Sequence, residues 1–138
     1  MKNILILLLF FFVHHIVLAQ EVRTIKMTSG DDRSRNFTEA PVFPGKSDSQ
    51  TNELEYVIAN LEYPEFAKKS GIEGTVRIGY TIESNGKVSS PKVIKSVYPS
   101  LNQEAIRLVE KMPVWKPARK YNGTPVSCRW TSDIVFKL

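Results

Sequence analysis

Thr75–Val88 reads TVRIGYTIESNGKV, and how this stretch folds back on itself decides the architecture. Val76, Ile78, Tyr80 and Ile82 alternate with Thr75, Arg77, Gly79 and Thr81. Alternation of period two predicts a strand with one apolar and one polar face. Asn85-Gly86 then predicts a hairpin turn, and loop length sets the register. A two-residue loop would pair Ile82 with Ser89 and turn Val88 to the wrong face. A three-residue loop, Ser84-Asn85-Gly86, pairs Ile82 with Val88 and places Gly86 in the left-handed position of a bulge. The second register is expected. Pro91 then marks an edge strand or a bulge, and the apolar phase shifts beyond it to Val93.

Upstream, Leu54, Val57, Ile58 and Leu61 recur at i, i+3, i+4 and i+7, which predicts a helix with one apolar stripe. Ser47, Asp48 and Ser49 offer N-caps. Pro64 ends that helix and opens a short second one, PEFAKKSG, with Phe66 and Ala67 inward and Gly71 as a left-handed stop. Downstream, Ser100 and Gln103 predict a capping box for a third helix, whose stripe is Leu101, Ala105, Leu108, Val109 and Met112. Pro113 ends it, and Trp115 is expected to staple the helix exit onto the sheet. Asn122-Gly123 turns the chain into a last strand. There Val126, Cys128, Trp130, Ile134, Phe136 and Leu138 share one face, and Ser127, Arg129, Thr131, Asp133 and Lys137 mostly populate the other. The predicted class is α+β, a three-stranded antiparallel sheet with helices packed on one face. Its last strand is an uncovered edge.

The chain has 138 residues, enough for one small domain with extensions. MKNILILLLFFFVHHIVLAQ has a lysine, a short apolar run and Val17-Leu18-Ala19, the anatomy of a signal peptide over residues 1–19. Cleavage after Ala19 and export are expected, with an uncleaved inner-membrane anchor as the alternative. No cysteine follows the apolar run, so lipoprotein processing is not indicated. Residues 20–40 lack periodic apolar positions and read as a flexible lead-in; residues 41–138 form the domain.

Both histidines, His14 and His15, fall in the signal segment. The exported chain would then hold no histidine for acid–base or metal chemistry. One cysteine, Cys128, alternates with apolar residues and reads as a small core residue. Asp31-Asp32, Glu53/Glu55 and Glu62/Glu65 read as solvated acids. No enzyme activity, cofactor or metal site is expected. The formal charge of +5 becomes +5 − 1 = +4 once Lys2 is removed, and an exported chain of this charge is not expected to bind nucleic acid.

Tyr63-Pro64…Ala67…Gly71-Ile72-Glu73-Gly74-Thr75-Val76, then Asn85-Gly86-Lys87-Val88, resembles the first half of the TonB carboxy-terminal domain. Glu104-Ala105…Met112-Pro113-Val114-Trp115-Lys116-Pro117-Ala118 and the closing Ile134–Leu138 resemble its second half, and Pro41-Val42-Phe43-Pro44-Gly45 its lead-in. The resemblance implies a periplasmic module that binds outer-membrane transporters, or other envelope proteins, by adding their extended segments to its last strand. Ser127, Arg129, Thr131 and Asp133 are the expected partner-binding residues of that strand. A homodimer is also compatible with it. The long Pro-rich spacer of the full transducers has no counterpart. Residues 20–50 extended would reach about 100 Å at ~3.3 Å per residue, a marginal span for pulling across a periplasm.

Overall fold

The computed structural model describes residues 37–138. The expected signal segment, Asp31-Asp32 and most of the lead-in lie outside the described residues.

The hairpin comes first, as it organises the rest. β1 (Gly74–Ile82) and β2 (Val88–Lys95) pair antiparallel with Ile82 opposite Val88. The Glu83 N–H donates to Lys87 O, which leaves the expected three-residue loop. Gly86 sits at φ 83°, and a Cβ there would lie 1.9 Å from the Trp115 carbonyl oxygen, so no other residue fits. At Pro91 the register shifts as expected, with Ser90 at φ 50°. A second shift falls between Arg77 and Ile78, opposite Ile94.

β5 (Cys128–Phe136) lies on the other side of β1, antiparallel, so the sheet order is β2-β1-β5. Three helices pack on the face carrying Val76, Ile78, Tyr80 and Ile82: α1 (Ser49–Asn60), α2 (Glu65–Lys69) and α3 (Pro99–Glu110). Leu101, Ala105, Leu108 and Val109 of α3 are fully buried, as their stripe predicts. Asp48 caps α1, its carboxylate accepting from the Gln50 and Thr51 N–H groups at 3.0 Å.

Five details differ from expectation. The first concerns α1, whose buried face is turned toward Asn52, Glu53 and Val57, leaving Ile58 49% exposed. Phe66 of α2 is 61% exposed and stacks on Tyr98, its ring centroid 6.0 Å away. α3 is preceded by Tyr98, with Pro99 at its start and no side-chain cap; the Ser100 hydroxyl is buried without a partner. Proline needs no N–H partner at the first helical position, so it replaces the capping box.

The last strand is also split. β3 (Ala118–Arg119) and β4 (Pro125–Val126) form a separate hairpin about Asn122-Gly123, and β5 starts only at Cys128. Thr38 and Glu39 donate their N–H groups to Arg119 O, and Val42 exchanges backbone bonds with Lys116. The stretch expected to be flexible up to Ala40 is thus tied down from Thr38. Phe43 follows into the core, its ring edge-on to Trp115 at 5.0 Å.

Trp115 is the staple. It is 2% exposed, donates its backbone N–H to Gly86 O, and meets Phe43, Tyr80 and Trp130 by its ring. One residue therefore joins the lead-in, the β1–β2 turn and β5.

Candidate functional site

β5 forms nine consecutive residue pairs with β1, from Gly74–Phe136 to Ile82–Cys128, without a register shift. Among the described residues, its other side borders no strand of the sheet. Which of its backbone groups face outward follows from the hairpin. Glu83 turns its N–H and C=O to β2, so by alternation Ile82, Tyr80, Ile78 and Val76 turn theirs to β5. Their partners Cys128, Trp130, Ser132 and Ile134 turn inward. The odd-numbered residues Arg129, Thr131, Asp133 and Val135 then turn theirs to the edge.

The four residues expected at this edge have different surroundings. Ser127 lies just outside β5; its hydroxyl donates to Glu83 Oε2 at 2.8 Å and accepts from the Ser84 N–H at 3.2 Å. Glu83 is held below the usual carboxylate range by hydrogen bonds from Ser89 and Ser127. Asp133 is buried and takes a two-pronged hydrogen bond from Arg77, at 2.6 and 2.8 Å, on the sheet face away from the helices. Arg129 is exposed and belongs to none of the salt bridges among the described residues. Thr131 is half-buried on the same face.

Beneath the edge lies a group read from the sequence as a solvated acid. Glu53 of α1 is fully buried, and its Oε1 accepts from Ser132 Oγ at 2.5 Å; that oxygen is 2.8 Å from the Tyr80 hydroxyl. Glu53 Oε2 has no partner. Burial pushes its carboxyl up to about 7, against the Ser132 and Tyr80 hydrogen bonds, and pushes the Tyr80 phenol well above its ordinary value. The sequence held one signal for this cluster. Ser132 is a polar residue in the apolar phase of Cys128, Trp130 and Ile134, and such a position calls for a buried partner.

A cleft of about 570 Å³ opens on the helical side between the α1–α2 connection and α3, lined among others by Tyr63, Pro64, Ser100 and Gln103. Its buried charges satisfy each other, with Glu104 binding Arg107 twice and accepting the Glu62 N–H. Among the described residues, no group of three or more His, Cys, Asp or Glu side chains is placed to hold a metal ion.

The profile of the Gram-negative bacterial TonB protein C-terminal family matches residues 59–138. The chain belongs to this family. Protein TonB of Pseudomonas aeruginosa is 28% identical over 74 residues, which are 54% of this chain and 21% of that protein. The chain thus matches about a fifth of the length of that relative. The solution structure of the Helicobacter pylori TonB C-terminal domain, residues 179–285, superposes with a TM-score of 0.51 at 26% identity, covering 69% of this chain and 86% of that one. The three-stranded antiparallel sheet with helices on one face is thus a TonB C-terminal fold. Among the described residues, no helix is long and apolar enough to cross a membrane.

Proposed function

We propose that this chain is a periplasmic protein-binding module of the TonB type. It recognises extended segments of outer-membrane transporters, or of other envelope proteins, by adding them as a strand along β5, and so takes part in TonB-dependent transport. The observation that carries this reading is the unbroken nine-residue ladder of β5, whose far side borders no other strand among the described residues. Such an edge presents N–H and C=O groups at every second residue, and backbone pairing tolerates varied partner sequences. The side chains of Ser127, Arg129, Thr131 and Asp133 then flank the contact instead of carrying it. Backbone groups supply the affinity.

Titrating the chain with an extended peptide from the N-terminus of an outer-membrane transporter tests this by amide NMR. Shifts and slowed exchange are expected at Arg129, Asp133 and Val135, with β2 amides unchanged. Binding that leaves the β5 amides unmoved overturns the reading. We further propose cleavage after Ala19 on export. Intact-mass measurement of protein from its native host should give a chain starting at Gln20; a mass retaining residues 1–19 supports an inner-membrane anchor instead.

A further inference from the structure

Two turns of this chain share one backbone and differ in what they face. In Glu83–Lys87 and in Lys120–Thr124 the glycine N–H donates to the first residue's carbonyl, at 2.8 Å in both. The first residue's N–H donates to the fifth residue's carbonyl, at 2.9 Å in both. Asn85 and Asn122 each accept the N–H two residues on, at 3.0 and 3.1 Å. Gly86 and Gly123 are both left-handed, at φ 83° and 80°. The first turn is pressed onto Trp115, whereas a Cβ at Gly123 would meet no atom within 4 Å. Among the described residues, the second turn therefore stands clear of the body. It is stiff as well, since Arg119 Nη1 donates to Gly123 O at 2.6 Å.

The second residue of such a turn accepts most side chains. The first turn has Ser84 there; the second has Tyr121, 94% exposed. Turn closure does not require that ring, and its apolar surface is left in water. Lys116 and Lys120 are exposed on the same ribbon, Arg119 is half-buried, and none of the three belongs to a salt bridge among the described residues. Val42, 40% exposed, lies opposite Lys116, and Glu39, opposite Arg119, is the one acid on the paired lead-in. We propose that this tip is a contact site for an anionic lipid surface, with Tyr121 in the headgroup layer and Lys116 and Lys120 beside it. A tyrosine ring has an apolar body and a polar end, which suits that layer. Lysines are drawn to anionic headgroups over a Debye length, ~10 Å at 0.1 M salt. A single ring on a projecting turn offers no groove for a polymer chain, so a surface is the better fit. The site does not depend on strand addition at β5.

Co-sedimentation of the exported chain, starting at Gln20, with two kinds of vesicle tests this. Binding is expected to vesicles of equal phosphatidylglycerol and phosphatidylcholine, to weaken as salt rises, and to be about tenfold weaker on phosphatidylcholine alone. Tyr121→Ser, which copies the first turn, should lower binding to the anionic vesicles about fivefold at an unchanged melting temperature. Lys120→Glu should lower it about tenfold. Lys92→Glu, on β2, should have a much smaller effect. Equal binding to both vesicles, or anionic binding that ignores Tyr121→Ser and Lys120→Glu, overturns the proposal. A loss in Lys92→Glu as large as in Lys120→Glu means diffuse attraction by net charge and overturns it too. Retention on isolated cell-wall sacculi, sensitive to Tyr121→Ser, without vesicle binding assigns the tip to a glycan polymer instead.

Discussion

β2 and β5 both flank β1, and each is a terminal strand of the sheet among the described residues, yet they are built in opposite ways. β2 has two register shifts within eight residues, a proline at 91, a left-handed Ser90 and exposed Lys92 and Lys95. Bulges, proline and lysine are the devices that keep an edge from pairing with another chain. β5 keeps register over nine residues and carries none of them. Blunting one edge while leaving the other regular would direct the proposed strand addition to a single side. The difference extends below the sheet. Beneath β2 the layer is α3, whose buried Glu104 is paired with Arg107, while beneath β5 it includes the buried carboxyl of Glu53, one oxygen of which has no partner.

The largest effect is expected where both edges are held together. Trp115 joins the β1–β2 turn to Trp130 of β5, and Trp115→Ala should cost ~3–5 kcal/mol of folding stability. Urea unfolding checks this. A loss below ~1 kcal/mol would mean that the tryptophan ties neither edge down.

Glu53 lies under β5 and Tyr80 of the central strand, away from β2, and its titration separates the edges. The folded value of about 7 exceeds the ordinary 4.5, so between those values the folded chain holds a proton that the unfolded chain has lost. Its contribution leaves stability highest below about pH 4.5, lowers it as pH rises to about 7, and adds no further loss above that. The fall is on the order of 3 kcal/mol, since each tenfold change in proton concentration between the two values is worth ~1.4 kcal/mol. Glu53→Gln should flatten the profile between those limits. Hydrogen exchange should show β5 amides opening more readily than those of β2 as pH rises. An unchanged profile in the variant would mean that the carboxyl is ionised and compensated in the folded chain.

A smaller effect is expected on the face away from the helices. Asp133→Asn keeps the shape but weakens the charge-assisted bonds from Arg77 that clamp β5 to β1. Melting temperature should drop less than for Trp115→Ala, and partner binding should survive. A binding loss that exceeds the stability loss would make Asp133 a direct partner contact.

The sequence disclosed what local rules determine. Period-two alternation and Ser84-Asn85-Gly86 set the central hairpin and its register, and Pro91 marked the interrupted edge. The stripe of α3 and the role of Trp115 were legible for the same reason. The rotation of α1 was not, because it depends on a partner far along the chain. Glu53 reads as solvated until Ser132 and Tyr80 are brought to it, and only then can the helix bury it and leave Ile58 outside. The split between β4 and β5 was hidden because Val126 and Cys128 keep the same apolar phase while pairing with different strands. Of the candidate site, the strand and the alternation of its two faces were legible; the Glu53–Ser132 contact beneath it required the packing of α1.

Proline substitution at each edge puts the difference between them to the most direct test. Val135 turns its N–H to the free side of β5, so Val135→Pro removes a donor that an added strand would use. An edge position should tolerate that change in the fold. Val93, opposite Ile78, turns its N–H to the outer side of β2, so Val93→Pro does the same there. With both variants folded by circular dichroism, binding of a transporter-derived extended peptide should fall roughly 10- to 100-fold in Val135→Pro, the loss of one or two backbone bonds. It should stay at the wild-type level in Val93→Pro. Wild-type affinity in a folded Val135→Pro chain, or a loss confined to Val93→Pro, would show that the partner does not add to β5.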